Sequence, residues 1–339
     1  MLSKKGWRII SIFIVLSISL LVISCSTTRR PKGQDKVQPS RQPSQQTAKK
    51  PSLPKPIRTG ENKEPKLKVY IVHEKKVKEM AFEDYVAGVV GGEIKNDWPE
   101  ESIKAQAIIA RTFVLQFIQE KGQSKYKNAH VSTDIEEAQA WNTQAINDRV
   151  RKAVNDTKGQ VIVYNGQFAK TWFHSNAGGK TATAKEGLNY KGKNPPYIQV
   201  VDSPDTSDTV DKDAKSWSAT FAKAKVITAL KDAGKSLKSF SSVSIGEKGP
   251  SGRAMTIRFD KTDVNAAELR LALGSTDMRS TLLDKITLEG NQVVMSGRGY
   301  GHGVGMSQWG AFSMANNGKS AKDIINHYFK DVNIVKMWD

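Results

Sequence analysis

Cysteine is nearly missing from this 339-residue chain, which has one, Cys25. A disulfide needs two, so no internal cross-link holds the fold, and no thiolate-rich zinc site can be assembled. Histidine is scarce as well: His73, His130, His174, His302 and His327 are the full set. None stands in H-E-x-x-H spacing, so neither a metal nor another cofactor is expected. No glycine cluster has the G-x-G-x-x-G register of a dinucleotide site. Internal repeats are absent, and the one long apolar run is residues 9–23. Acidic residues are outnumbered, 34 Asp/Glu against 52 Lys/Arg, for a net charge of +18. Residues 1–66 hold 14 of the basic and 3 of the acidic residues, so +11 sits there and only +7 on the remainder. The basicity belongs to a polar tail and not to a folded face, so nucleic acid is not expected as a partner. Such a tail suits anionic lipid or wall polymers; a plain solvated spacer accounts for it equally.

What is present begins with an address. Lys4, Lys5 and Arg8 precede the apolar run Ile9 to Ile23, which ends in Val22-Ile23-Ser24-Cys25. This resembles a bacterial lipoprotein signal over residues 1–25, whose cysteine is lipidated and becomes the mature N-terminus. The other reading is an uncleaved anchor, for which about 15 apolar residues are short. Either reading places the rest of the chain outside the cytoplasm, tied to a membrane. Residues 26–66, including QPSRQPSQQTAKKPSLPKP, are too polar to bury a core and are expected to form a disordered tether.

The folded domain is expected over residues 67–339. Leu67 to Val72 reads as a strand. Phe82, Tyr85, Val86, Val89 and Val90 share one helical face, with Gly91-Gly92 expected to end that helix. Pro99 suits the first turn of a second helix, whose apolar face carries Ile103, Ala107, Ala110, Val114, Phe117 and Ile118. Asn165-Gly166 predicts a hairpin turn. Residues 217–232 read as helix, 240–259 as strands about a Gly249–Gly252 turn, 269–273 as a short helix, 292–296 as a strand, and Ser307 to about Phe329 as helix. Mixed strand and helix order predicts an α+β fold, with mostly antiparallel strands forming a cleft between two lobes.

Three places could carry chemistry. Glu93 stands at the junction of the first two helical patterns, with Arg111 on the second. At 100° per residue Arg111 lies about 80° from Ile103, and Gln106 about 60° to the other side. Both flank the apolar stripe, where a polar group needs a partner. That partner is a ligand such as a sugar, or else Glu93 and Arg111 form an ion pair bracing the two helices. The second place is His174-Ser175-Asn176-Ala177-Gly178-Gly179-Lys180-Thr181. It falls one residue short of a phosphate-binding loop, since His stands where the first glycine belongs. Ser175, Lys180 and the Gly-Gly amides could meet a polar ligand, or the segment is a plain tight turn. The third is Gly297 to Ala311, with glycine at every second position from 297 to 305. As a strand it would clear one face beside His302 for close approach of a ligand, unless His302 is simply a core residue. Gln308 follows Ser307, a candidate helix cap.

Taken together, DYVAGVVGGEI…WPEESIKAQAIIARTF, FHSNAGGKT and GRGYGHGVGMSQWGAFSMANNG resemble the signature blocks of the stage II sporulation protein D (SpoIID/LytB) family, in order and spacing. The resemblance extends from about Lys68 to the end of the chain. It implies a peptidoglycan lytic transglycosylase, which cuts between N-acetylmuramic acid and N-acetylglucosamine without water and leaves a 1,6-anhydro end. It places the family's catalytic glutamate on Glu93 and its functional arginine on Arg111; the substrate-binding candidates are Arg111 together with Gln106, Ser175, Lys180, His302 and Gln308 from the reading of the residues above. It also implies glycan strands as the partner and, through the family's amidase enhancers, a cell-wall amidase; a non-catalytic enhancer is the alternative function. Some members hold zinc through cysteine and histidine; His130 is present here but no cysteine is, so no metal is carried over. The segment after HVSTD reads IEEAQAW in place of a common Asp-Gln, which puts contacts around 134–141 in question.

Overall fold

A computed structural model of the protein describes residues 49–339. The signal, Cys25 and most of the tether lie outside the described residues.

β1 (Lys66–Ile71) turns Leu67, Val69 and Ile71 inward on alternate positions. It pairs antiparallel with β2 (Lys76–Ala81) and parallel with the short β3 (Val131–Ser132). Two helices follow β2, α1 (Phe82–Glu93) and α2 (Glu100–Lys121). The expected faces are buried: Phe82, Tyr85, Val86, Val89 and Val90 on α1, and Ile103, Ala107, Ala110, Val114 and Ile118 on α2. Two boundaries differ from expectation. Gly91-Gly92 does not end α1, which runs on to Glu93, and Pro99 is the cap of α2 and not part of its first turn. α3 (Asp148–Asp156), capped by the Asn147 side chain on the Val150 N–H, completes this helical layer.

β4 (Gln160–Tyr164) and β5 (Gln167–Phe168) form the predicted hairpin, with Asn165 and Gly166 at φ 48° and 75°. β6 (Phe173–His174) leads through α4 (Ala184–Leu188) and α5 (Lys212–Lys215) to β7 (Ser216–Ala222) and α6 (Lys223–Asp232). Residues 217–232 are thus half strand: Trp217 and Phe221 point inward because β7 pairs along its length with a later strand. β8 (Val243–Ile245), β9 (Thr256–Phe259) and β10 (Thr262–Asn265) make an antiparallel sheet, followed by α7 (Ala266–Leu273). β11 (Leu283–Glu289) and β12 (Gln292–Arg298) complete a sheet of order β11-β12-β7.

The glycine run is not a strand. Gly299, Gly301, Gly303 and Gly305 have φ of 76°, 111°, 82° and 72°, so every second residue is left-handed. The sequence alternation therefore records a looped backbone that a side chain would strain. β13 (Met306–Ser307) then pairs parallel with β6. The helical stretch beyond it is broken at residues 317–320 into α8 (Gln308–Asn316) and α9 (Ala321–Tyr328). β14 (Asn333–Lys336) returns to pair with β4, and Trp338 is buried against Phe82.

The α+β class stands. A cleft between two lobes is not shown: residues 49–339 lie within a single compact unit, in which β14 and Trp338 return to β4 and Phe82. Residues 49–65, placed in the tether by composition, lie on the domain. Ile57 is buried and Leu53 packs on the same core; two apolar anchors between prolines are enough to seat the segment. Among the described residues no helix is long and apolar enough to cross a membrane.

Candidate active site

Glu93 is the last residue of α1 and half-buried. One carboxyl oxygen accepts a 2.6 Å hydrogen bond from the Ala140 N–H. Among the described residues no other hydrogen bond and no ion pair reaches the carboxyl. Removal from water raises its pKa from 4.5 to about 7, against the smaller opposing pull of the Ala140 amide.

The glycines of α1 explain how that amide arrives. A Cβ on Gly92 would stand 2.7 Å from the carbonyl carbon of Ala140 and from the Trp141 nitrogen; one on Gly91 would meet the Asn142 carbonyl at 2.6 Å, and one on Gly88 the Trp141 Nε1 at 2.2 Å. Three bare positions on one side of the helix let residues 140–142 lie against it. The Asn142 N–H donates to the Gly88 carbonyl at 2.9 Å and fixes the register. The glycines are tolerated inside the helix for this close approach, which outweighs their usual helical cost of about 1 kcal/mol each.

A second set of groups holds Glu93 from the other side. Gln308, at the start of α8, donates through Nε2 to the Glu93 carbonyl at 2.8 Å and to the Gln106 Oε1 at 3.4 Å. Gln106 is fully buried and its own Nε2 has no partner. Ser175 is adjacent, its carbonyl accepting the Trp309 N–H at 3.0 Å. Glu93, Gln106 and Gln308 are therefore brought together from three separate segments, and Ser175 is tied to the backbone of Trp309, the residue after Gln308. Gln106 reaches Glu93 through Gln308 and, being wholly covered, is a positioning group; the sugar contact expected of it is not available.

Arg111 stands apart from this site. Its side chain is fully buried and grips Glu83, with Nη2–Oε2 2.6 Å and Nε–Oε1 2.9 Å, while Nη1 donates to the Gln160 carbonyl at 3.0 Å. Glu83 also accepts the Gly159 N–H and the Trp338 indole N–H. The Glu–Arg brace foreseen as one reading of the spacing exists, but its acid is Glu83, at the far end of α1 from Glu93. The substrate contact expected of Arg111 is replaced by this brace.

The segment 174–181 is organised from within. Asp205, fully buried, accepts the Ala177 N–H at 2.6 Å, the Gly179 N–H at 2.8 Å, and the hydroxyls of Ser203 and Ser307 at 2.9 and 2.6 Å. Both Gly-Gly amides offered to a ligand are thus occupied, Gly179 by Asp205 and Gly178 by the Asn176 Oδ1 at 2.7 Å. Ser307 in turn caps α8 by accepting the Gly310 N–H, so Asp205 sets the helix that presents Gln308. Lys180 is exposed and 3.9 Å from Asp202, and no contact among the described residues joins it to Glu93. His302 packs near His174, ring centres 5.6 Å apart, with its Nδ1 accepting the Val304 N–H. As a residue it is half-buried, and burial, then Arg270 and Arg253, push its pKa down to about 3; His174 is likewise held neutral by burial. Neither imidazole is a cation at neutral pH. Zinc does not fit: the His130 Nδ1 accepts the Lys68 N–H at 3.1 Å, and no three His, Cys, Asp or Glu side chains converge among the described residues.

Sequence reasoning missed Ala140, Trp141, Glu83 and Asp205. Only the glycine spacing on α1 signalled the first two. A hollow of about 490 Å³ between α2, α3 and α9 and one of about 690 Å³ under residues 49–58 are both clear of Glu93.

The chain as a whole is similar to known proteins. A profile of stage II sporulation proteins matches residues 70–164, and one of a domain of unknown function matches 186–305. An uncharacterized protein of Brachyspira hyodysenteriae is 33% identical over 264 residues, covering 76% of this chain and 68% of that one. Stage II sporulation protein D of Bacillus subtilis is 28% identical over 284 residues, 78% of each chain. The amidase enhancer of the same species is 28% identical over 290 residues, 71% of this chain but 39% of its own length. The chain belongs to the stage II sporulation protein D family.

Proposed function

We propose that the protein acts at the bacterial cell wall as a lytic transglycosylase on peptidoglycan glycan strands. The observation that carries this reading is the Glu93 carboxyl, half-buried, free of any ion pair among the described residues, and raised to about 7. Such a group is available as an acid near neutral pH. Protonated Glu93 donates to the glycosidic oxygen as the C1–O bond breaks and positive charge gathers on C1. The carboxylate left behind takes the proton of the C6 hydroxyl as that oxygen bonds to C1. The acid is regenerated, a 1,6-anhydro ring closes, and no water is consumed. One carboxyl suffices, whereas ordinary glycosidases need two. The Ala140 N–H steadies the anion between the two transfers, and Gln308 fixes the helix end from which the carboxyl projects. As a lipoprotein-type exported chain the enzyme would work beside a membrane, with Cys25 as the anchor.

Mass spectrometry of products from purified glycan strands tests this. Wild type is expected to release anhydro-muramyl ends; Glu93→Gln should bind the strands and lower turnover by at least a hundredfold. Full activity in that variant would exclude the mechanism. The likeness to an amidase enhancer favours one second reading, a wall-binding partner that stimulates an amidase. Under that reading the purified protein releases nothing alone, and amidase turnover rises equally with wild type and Glu93→Gln.

A further inference from the structure

We propose that Trp141 is a platform on which a sugar ring of the glycan stacks, one ring away from the bond that Glu93 protonates, an inference that rests on the glycan-acting reading above. Its indole is half-buried and borders the core of the helical layer. Its backbone lies against Gly92 and its Nε1 edge against Gly88, four residues back along α1. The ring therefore extends from the end that carries Glu93 by about one helical pitch, some 5.4 Å, which is the scale of one pyranose.

The placement is fixed on both sides. Ala140, the preceding residue, holds the Glu93 carboxyl at 2.6 Å, and Asn142, the next, donates to Gly88 at 2.9 Å. The three-residue clamp that bonds the acid thus also carries the indole, and both lie against one helix. The indole N–H is buried and has no partner among the described residues, which is unfavourable. A phenylalanine would fill the contact without that cost. The tryptophan is therefore not there for a hydrogen bond; what it adds is a broad aromatic side chain on a half-buried residue, next along the chain to the amide that holds the acid. A pyranose shows C–H groups on its faces and hydroxyls at its rim, so a flat ring removes its apolar face from water and leaves the rim free. Glu93 has no ion-pair partner among the described residues, and stacking supplies the grip on a neutral sugar that charge would otherwise give.

The test uses the full protein and two probes, a chitooligosaccharide and glycan strands freed of peptides, titrated by indole fluorescence and by calorimetry. In a Glu93→Gln background, Trp141→Ala should weaken both affinities at least tenfold. Trp141→Phe should keep affinity within about threefold while losing most of the fluorescence change, although six other tryptophans remain. In the active protein, Trp141→Ala should raise KM more than it lowers kcat, and Trp141→Phe should restore KM. Wild-type affinity in a folded Trp141→Ala protein would overturn the proposal and leave Trp141 a loop anchor. If the alanine variant does not fold, an undiminished fluorescence change in Trp141→Phe overturns it instead. If the Glu93→Gln protein with Trp141 intact binds neither probe, the glycan-acting reading fails and takes the platform with it.

Discussion

A carboxyl that titrates near pH 7 is about half protonated in neutral solution, and this has opposite consequences for turnover and for stability. The acid must carry its proton to act, so kcat/KM should fall along a single alkaline limb above about pH 7. For stability, the folded pKa lies above the free value of 4.5, so the folded chain binds the proton more tightly than the unfolded one. The stabilisation is complete below pH 4.5 and is lost as pH rises through 7. Glu93→Gln removes that loss, and thermal melts across pH 5–8 should show it more stable than wild type above pH 7, by on the order of 2 kcal/mol. Arg111 behaves differently. Arg111→Ala leaves the buried Glu83 carboxylate with only the Gly159 amide and the Trp338 indole. Urea titration should give a loss of about 3–5 kcal/mol, with KM of the folded fraction unchanged. A raised KM at full stability would return Arg111 to the binding site.

Among the elements, α1 carries the most of the site, and its role was only partly legible. The 3.6-residue spacing of Phe82, Tyr85, Val86, Val89 and Val90 marked its core face correctly. The same reasoning took Gly91-Gly92 as a stop, because glycine is a poor helix former; residues 140–142, some fifty positions on, are what make bare positions useful there. Periodicity likewise set Arg111 beside the apolar stripe, but the ion-pair reading took Glu93 as its acid and missed Glu83, because spacing along the chain does not say which end of α1 lies beside Arg111. The glycine alternation at 299–305 was read with the strand period, although it records left-handed φ. Residues 217–222 read as helix in the sequence, because their partner strand is seventy or more residues away. Gly92→Ala examines the clamp. Its Cβ would stand 2.7 Å from the Ala140 backbone, so the loop must shift; overpacking of this kind costs about 1–3 kcal/mol. Loss of the Ala140 hydrogen bond removes the one influence that lowers the Glu93 pKa, so the alkaline limb should move upward while kcat falls.

At the scale of the whole molecule, the parts of the chain that composition separates are joined by packing. Residues 49–65 look like tether, yet Leu53 and Ile57 rest on the helical core. A chain beginning at residue 66 should therefore lose about 2–4 kcal/mol relative to one beginning at 49, measured by chemical denaturation. A difference below 0.5 kcal/mol would mean that this segment merely lies on the surface. The site has the same long-range character: Glu93 is clamped from residue 308, and Glu83 is closed over by Trp338.

The 215-residue separation between Glu93 and Gln308 also orders events in time. Contacts so distant along the chain form late, because loop closure must be paid before they return anything. On refolding, helical signal from α1 and α2 should appear early, and the ability to cleave glycan only with the slowest phase. A chain released before residue 308 is made would hold its acid at the end of a finished helix, without the Gln308 clamp, and remain inert.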